Sequence, residues 1–197
     1  MGLNHVRVGS QADVDHLKAA SRFRRARIKA LRFVRDIRGR DAIDIGCGGG
    51  FMVEAMRRVG TRATGLDVNP QAIAYAEHHF PENRFFCEDV AAFEGHDLAF
   101  DFVYSSEVIE HVPDAARYMA LLARITRPGG HVYITTPDIG HWRVPGDVTR
   151  WDMFGGPGYV QFFNRRCLGL LFERHGFRVR RRFIKLKMGL QILAVRT

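Results

Sequence analysis

The segment from Asp41 to Gly60 constrains the fold more than any other part of the chain. Ala42-Ile-Asp-Ile45 is a short apolar run that ends against glycines at 46, 48, 49 and 50. Phe51 to Val59 then has helical composition and stops at Gly60, a natural helix terminator. Strand, tight turn and helix in immediate succession form the opening unit of an α/β sheet. The rest of the chain repeats the alternation. Arg62 to Val68 reads as strand, and Pro70 to His79 as helix with Asn69 as its N-cap. Arg84 to Cys87 and Phe100 to Ser105 read as strands, and Asp114 to Thr126 as helix stopped by Pro128-Gly-Gly130. His131 to Thr136 is a strand, Arg165 to His175 a helix closed by Gly176, and Arg178 to Leu186 and Leu190 to Val195 are the last two strands.

Strands alternating with helices of this length predict a doubly wound, mostly parallel seven-stranded sheet with helices on both faces. The last two strands are joined only by Lys187-Met-Gly189, too short for a parallel crossover, and are expected to form an antiparallel pair. Ahead of the sheet, Val14, Leu17, Phe23, Ile28, Leu31, Val34 and Ile37 recur at three- and four-residue steps among arginines and lysines. Residues 1–40 are therefore expected to be a basic amphipathic helical extension or cap, and residues 41–197 the main domain. At 197 residues and 46% hydrophobic content the chain can bury a single ample core. No apolar run approaches the roughly 18 residues of a membrane span, and the polar Met1 to Ser10 lacks a signal-peptide pattern. Cys47, Cys87 and Cys167 have no metal-ligand spacing and suit reduced thiols, so a cytoplasmic location is expected.

The glycine turn lets the backbone approach a ligand closely and leaves helix N-terminal amides free to donate. It departs from the dinucleotide fingerprint, because Phe51 stands where glycine or alanine belongs and Asp44 lies inside the strand. A carboxylate there repels a pyrophosphate and suits a cationic amino acid. The second strand ends at Asp67, 21 residues after Gly46, where a carboxylate can accept both ribose hydroxyls. Asp89 follows the third strand at the same edge. Three acids thus surround one crevice.

These motifs, IDIGCGGG, GLDV, CEDV and YSSEVIEHV, resemble the class I S-adenosylmethionine-dependent methyltransferases over roughly residues 40 to 197, within them the small-molecule group typified by ubiquinone-biosynthesis O-methyltransferases. The resemblance implies a Rossmann-like sheet and S-adenosyl-L-methionine as cofactor. Asp44, Gly46, Cys47 and Gly48 would hold its methionine part and Asp67 its ribose. Asp89 would take the adenine amino group, with Val68 and Val90 flanking the ring, and the backbone of Ser105 would face the cofactor amino group.

Methyl transfer from a sulfonium is an in-line displacement that needs proximity and one base. His111 and His141, both just past predicted strand ends, are the candidates. Glu107, Glu110 and His111 stand at i, i+3 and i+4 and would share one face if helical, resembling the metal half-site of small-RNA 3′-end 2′-O-methyltransferases. In that alignment Tyr159 occupies the position of the missing ligand, so no metal is expected. None of the four lysines, Lys18, Lys29, Lys185 and Lys187, falls inside the sheet core, which argues against a ribose-methylating lysine tetrad. The long stretch from Ile139 to Val160 carries Trp142, Trp151, Phe154 and Tyr159 with Arg143 and Arg150, and is expected to cover a small-molecule acceptor together with the N-terminal helices. Charge is polarised: residues 1–40 carry +8, 41–164 carry −8 and 165–197 carry +9. The basic ends make a nucleic acid or an anionic membrane surface the alternative partners, and leave the oligomeric state open.

Overall fold

The computed structural model describes residues 16–155, 158–182 and 189–197. Seven strands form one sheet in the order β3-β2-β1-β4-β5-β7-β6. They are β1 (Asp41–Ile45), β2 (Arg62–Asp67), β3 (Arg84–Cys87), β4 (Phe100–Ser106), β5 (Thr126–Pro137), β6 (Phe177–Arg182) and β7 (Gly189–Arg196). The first five strands run parallel, and β7 pairs antiparallel with both β5 and β6. This is the doubly wound Rossmann-like architecture expected from the alternation, closed by its antiparallel pair. The predicted residues 183–186 of the sixth strand and the connection at 187–188 lie outside the described residues, as do residues 1–15.

Helices α1 (His16–Arg32), α2 (Val34–Ile37), α3 (Phe51–Arg58) and α4 (Pro70–His79) precede the short α5 (Val90–Phe93), then α6 (Ala115–Ile125) and α7 (Arg165–Arg174). Asn69 caps α4 by accepting hydrogen bonds from the amides of Gln71 and Ala72, with Pro70 in the first turn. Such a cap stabilises a helix by about 1 kcal/mol. The two faces of the sheet carry separate cores. On one, Phe93, Tyr118, Met119, Leu122, Leu168 and Phe172 pack over Ile43, Val103 and Ile134. On the other, Ala26, Ala30 and Phe33 join Val53 and Met56 over Ala42, Phe102 and Tyr133. Phe33 meets the Tyr133 ring at 4.7 Å between centroids. Of the stripe expected in the extension, Ile37 and Phe33 beside it are buried in this core, whereas Ile28 and Leu31 are exposed and Ala26 and Ala30 take the inward face instead.

Two local features differ from expectation. Pro128-Gly-Gly130 does not separate a helix from a strand. β5 already starts at Thr126, opposite Phe100, and the register jumps so that His131 faces Phe102, leaving the proline and glycines as a bulge inside the strand. Glu107 to Pro113 is not helical but a run of turns, so Glu107, Glu110 and His111 do not share a helix face. Glu107 takes φ 59°, the left-handed region, and this ends β4 with a sharp change of direction.

Candidate active site

The first βα turn sits where β1 ends. Gly46 and Cys47 donate their amides to the Leu66 carbonyl of the neighbouring strand, and Gly50 has φ +76° as the N-cap of α3. A Cβ on Gly50 would lie 2.9 Å from both the Ala76 methyl and the Phe85 ring, so this position admits neither a side chain nor another backbone. A Gly50→Ala variant is expected to lose about 2–5 kcal/mol in chemical denaturation, the left-handed penalty adding to overpacking. Gly48→Ala is the contrast. Its φ is +51°, but nothing lies within 4 Å of the added methyl, so about 1–2 kcal/mol is expected. That open space beside Gly48 is the cradle a ligand can enter.

Asp67, the last residue of β2, closes this turn. Its Oδ2 accepts the Gly48 amide at 2.7 Å and its Oδ1 the Asn69 amide at 2.9 Å. A carboxylate offers about four acceptor sites, so each oxygen keeps one for a ligand hydroxyl. Asp44 lies one strand over and is buried. Burial pushes its carboxyl well above the usual range, nearby Asp67 adds to the effect, and Lys29 opposes it. A cation entering the crevice relieves both penalties. Val68 is 61% exposed directly after Asp67, an apolar side chain free to face a planar ring. Asp89 caps α5 through Oδ1, which accepts the Ala92 amide at 2.7 Å, and Val90 opens that helix. The Ser105 hydroxyl bonds Tyr118 at 2.7 Å on the α6 side, so what it offers the crevice is backbone. The structure therefore brings Asp44, Gly46, Cys47, Gly48, Asp67, Val68 and Ser105 to the carboxyl ends of β1, β2 and β4, with Asp89 and Val90 just past β3.

Lys29 was not anticipated here. It lies on α1 at the border of the face that buries Ala26, Ala30 and Phe33, and its Nζ donates to the Tyr104 hydroxyl at 3.2 Å. The only signal in the sequence is a lysine among arginines at the inner edge of an amphipathic stripe.

The two histidines differ. Nδ1 of His111 lies 2.7 Å from the Gly158 carbonyl oxygen, which can only accept, so Nδ1 carries the proton and Nε2 presents its lone pair. His141 is opposite, because its Nδ1 accepts the Arg143 amide at 3.2 Å, which puts the proton on Nε2. His111 is exposed and stacks on Tyr159 at 4.8 Å, and Tyr159 continues onto Phe162 and Phe154 in near-parallel rings. Hydrogen bonds pin this aromatic segment over the turns after β4. Gln161 Nε2 donates to the carbonyls of Ile109 and Val112, and the Val160 amide donates to that of Glu110. Trp151 is buried against Phe162 and serves packing, whereas Trp142 is 76% exposed.

Glu107 accepts a hydrogen bond from the Thr135 hydroxyl at 2.7 Å. Glu110 is fully buried. The Thr136 hydroxyl and the Glu107 carboxylate face it without closing a hydrogen bond, and neither of its oxygens has a partner among the described residues. Burial pushes this carboxyl up to about 8. The described residues contain no cluster of three histidine, cysteine or acidic side chains able to hold a metal ion.

A family model described as "Methyltransferase domain" matches residues 18–181. Ubiquinone biosynthesis O-methyltransferase of Sodalis glossinidius is 38% identical over 105 residues, 50% of this chain and 41% of that protein. The protein of that name from Methylococcus capsulatus is 34% identical over 116 residues, 56% of this chain and 48% of that protein. The chain thus spans less than half the length of these relatives. In fold it is similar to an S-adenosylmethionine-dependent methyltransferase from Mesorhizobium loti, with a TM-score of 0.70, 19% identity and coverage of 87% and 98% of the two chains. It is also similar to magnesium protoporphyrin IX methyltransferase from Synechocystis PCC 6803 with bound SAH, with a TM-score of 0.69, 17% identity and coverage of 96% and 90%. With the glycine turn, the strand-end carboxylates and a family match across most of its length, this chain belongs to the methyltransferase-domain family.

Proposed function

We propose that this chain methylates a hydroxyl of a small, planar acceptor, with S-adenosyl-L-methionine as donor. The observation that carries the reading is the His111 imidazole, held by Gly158 so that Nε2 offers a lone pair beside the Tyr159 ring. In this reading Asp44, Gly46, Cys47 and Gly48 hold the methionine part of the donor, and Asp67 accepts the ribose hydroxyls. Asp89, Val68 and Val90 receive the adenine, and the Ser105 backbone faces the donor amine. When bound, the sulfonium supplies an electrophilic methyl group. His111 takes the acceptor proton, while the aromatic segment orients the acceptor and excludes water. The identity with O-methyltransferases supports oxygen as the methylated atom.

Incubation with S-adenosylmethionine and a panel of phenols, following S-adenosylhomocysteine release and the methylated product by mass, tests the reading. Absence of donor binding by calorimetry would sink it. His111→Ala is expected to lower kcat by about 10²–10⁴ while leaving S-adenosylhomocysteine affinity within about twofold. His141→Ala, with its proton on the wrong nitrogen for a base, is expected to change kcat far less.

A polyanionic partner is a second reading. Arg40 and Arg180 both lie close enough to His131 to lower its pKa, after burial as the main cause, with Asp36 beside them acting in the opposite direction. This basic meeting point is at the amino edge of the sheet, opposite the glycine turn, so RNA or anionic lipid there would dock rather than be methylated. Salt-dependent co-sedimentation with RNA and with anionic vesicles separates the two. We further take residues 1–40 as a cap on a catalytic unit of residues 41–197, supported by the packing of α1 on α3. A cytoplasmic location is supported by the free thiols of all three cysteines. No described helix is long and apolar enough to cross a membrane.

A further inference from the structure

Helix α1 has a second face. Ala26 and Ala30 turn to the sheet and are buried, while Ile28 and Leu31, about half a turn round the same helix, are 53% and 56% exposed. Single exposed apolar residues need no partner, but these two are neighbours at i and i+3. They are flanked by the exposed Arg24, Arg25, Arg27 and Arg32. Helix α1 contains no acidic residue. None of these four arginines closes an ion pair among the described residues. A face of one sign repels a second copy of itself and attracts an anionic surface. The apolar pair decides which surface. Against a nucleic-acid backbone Ile28 and Leu31 would gain nothing, whereas at a bilayer they leave water for the acyl boundary and the arginines stay among headgroup phosphates. Leu31 also borders a groove of about 440 Å³ between α1 and α3, floored by Ala55 and Val59 and edged by Arg27 and Arg58. Arg58 there pairs with Glu54, which leaves Arg27 to meet a headgroup phosphate.

We propose that the outer face of α1 docks on a bilayer surface that contains anionic phospholipid, with Ile28 and Leu31 entering the headgroup boundary and Arg24, Arg25, Arg27 and Arg32 meeting phosphates. This contact does not depend on the methyl-transfer reading, and it is distinct from the meeting point of Arg40 and Arg180. Lys29, the residue after Ile28, reaches the Tyr104 hydroxyl from the inner side of the same helix. The helix that rests on the bilayer is therefore the one that borders the candidate active site.

Co-sedimentation of the full chain with vesicles of phosphatidylglycerol and phosphatidylcholine in equal parts tests the contact. Retention that high salt weakens is expected on these vesicles, and none on phosphatidylcholine alone. Arg24→Gln with Arg32→Gln is expected to weaken binding by roughly ten- to thirtyfold, at about fivefold per arginine. Ile28→Gln with Leu31→Gln, which keeps every charge, is expected to weaken it by roughly ten- to hundredfold. Arg40→Gln with Arg180→Gln is expected to leave it within about twofold. Ile28→Trp gives a second readout: its indole emission is expected to move to the blue when vesicles are added, beyond any shift of the wild-type protein, and this carries the comparison should the glutamine pair unfold in a thermal melt. Vesicle retention unchanged by Ile28→Gln with Leu31→Gln overturns the proposal. So does retention lost only in the Arg40 and Arg180 variant, which moves the contact to the amino edge of the sheet. Retention on single-stranded RNA but not on vesicles overturns it in favour of a nucleic acid, and retention on neither overturns it outright.

Discussion

Replacing Asp67 with alanine is expected to weaken S-adenosylhomocysteine binding by about two to four orders of magnitude, measured by calorimetry. The loss has two sources. Each hydrogen bond from a ligand hydroxyl to a carboxylate is worth about 1.5–3 kcal/mol, and two ribose hydroxyls are at stake. The same carboxylate also clamps the amides of Gly48 and Asn69, so its removal frees the turn that must be preorganised for the ligand. Asp67→Asn distinguishes the two. Its amide nitrogen cannot accept, so one of the clamps becomes a clash of donors even though the shape is kept. The proposed donor site does not survive an Asp67→Ala protein with wild-type affinity. A second effect runs through charge: without Asp67, the Asp44 carboxyl loses one of the two influences that raise its pKa.

Stability is expected to fall as pH rises from about 5 to about 8, and Glu110 contributes to this beside Asp44, whose carboxyl burial also raises. Its carboxyl titrates near 4.5 when unfolded and is pushed up to about 8 by burial in the folded chain. Between those values the folded state holds a proton that the unfolded state has released. The slope is therefore negative, about 1.4 kcal/mol per pH unit at its steepest, and vanishes above the folded value. Chemical denaturation at a series of pH values measures it. Glu110→Gln keeps the shape without the charge and is expected to make the curve shallower and to be the more stable protein at pH 8. Burial is opposed in part by the Glu110 backbone amide and the Thr136 hydroxyl and reinforced by the Glu107 carboxylate, while the phenols of Tyr118 and Tyr159 lie within reach of its charge. A wild-type curve as flat as the variant's means that Glu110 is charged in the fold.

How much could be read in advance follows from whether a residue's role is local. Pro70 to His79 forms a helix because Asn69 caps it and Pro70 starts it, and all of that is written in four adjacent residues. The same holds for the glycine turn, where sharp reversal and close approach each demand the absence of a Cβ. The segment after β4 was not legible in this way. Glu107, Glu110 and His111 have helical spacing, but Glu107 turns left-handed and the following residues are tied to the loop some fifty positions later. Pro128-Gly-Gly130 looked like a terminator. It is a bulge instead, because pairing of Thr126 with Phe100 outweighs local turn preference.

The sequence by itself determined the alternation of strands and helices, the glycine turn of the proposed donor site and the acids around it, since each depends on backbone conformations set within a few residues. Only the tertiary structure decided what depends on distant partners. It set the two histidines apart, because a ring's tautomer is set by whichever carbonyl or amide reaches it, here Gly158 for His111 and Arg143 for His141. It isolated the Glu110 carboxyl from water, and it carried Lys29 from a helix outside the alternating pattern to Tyr104, 75 positions along the chain.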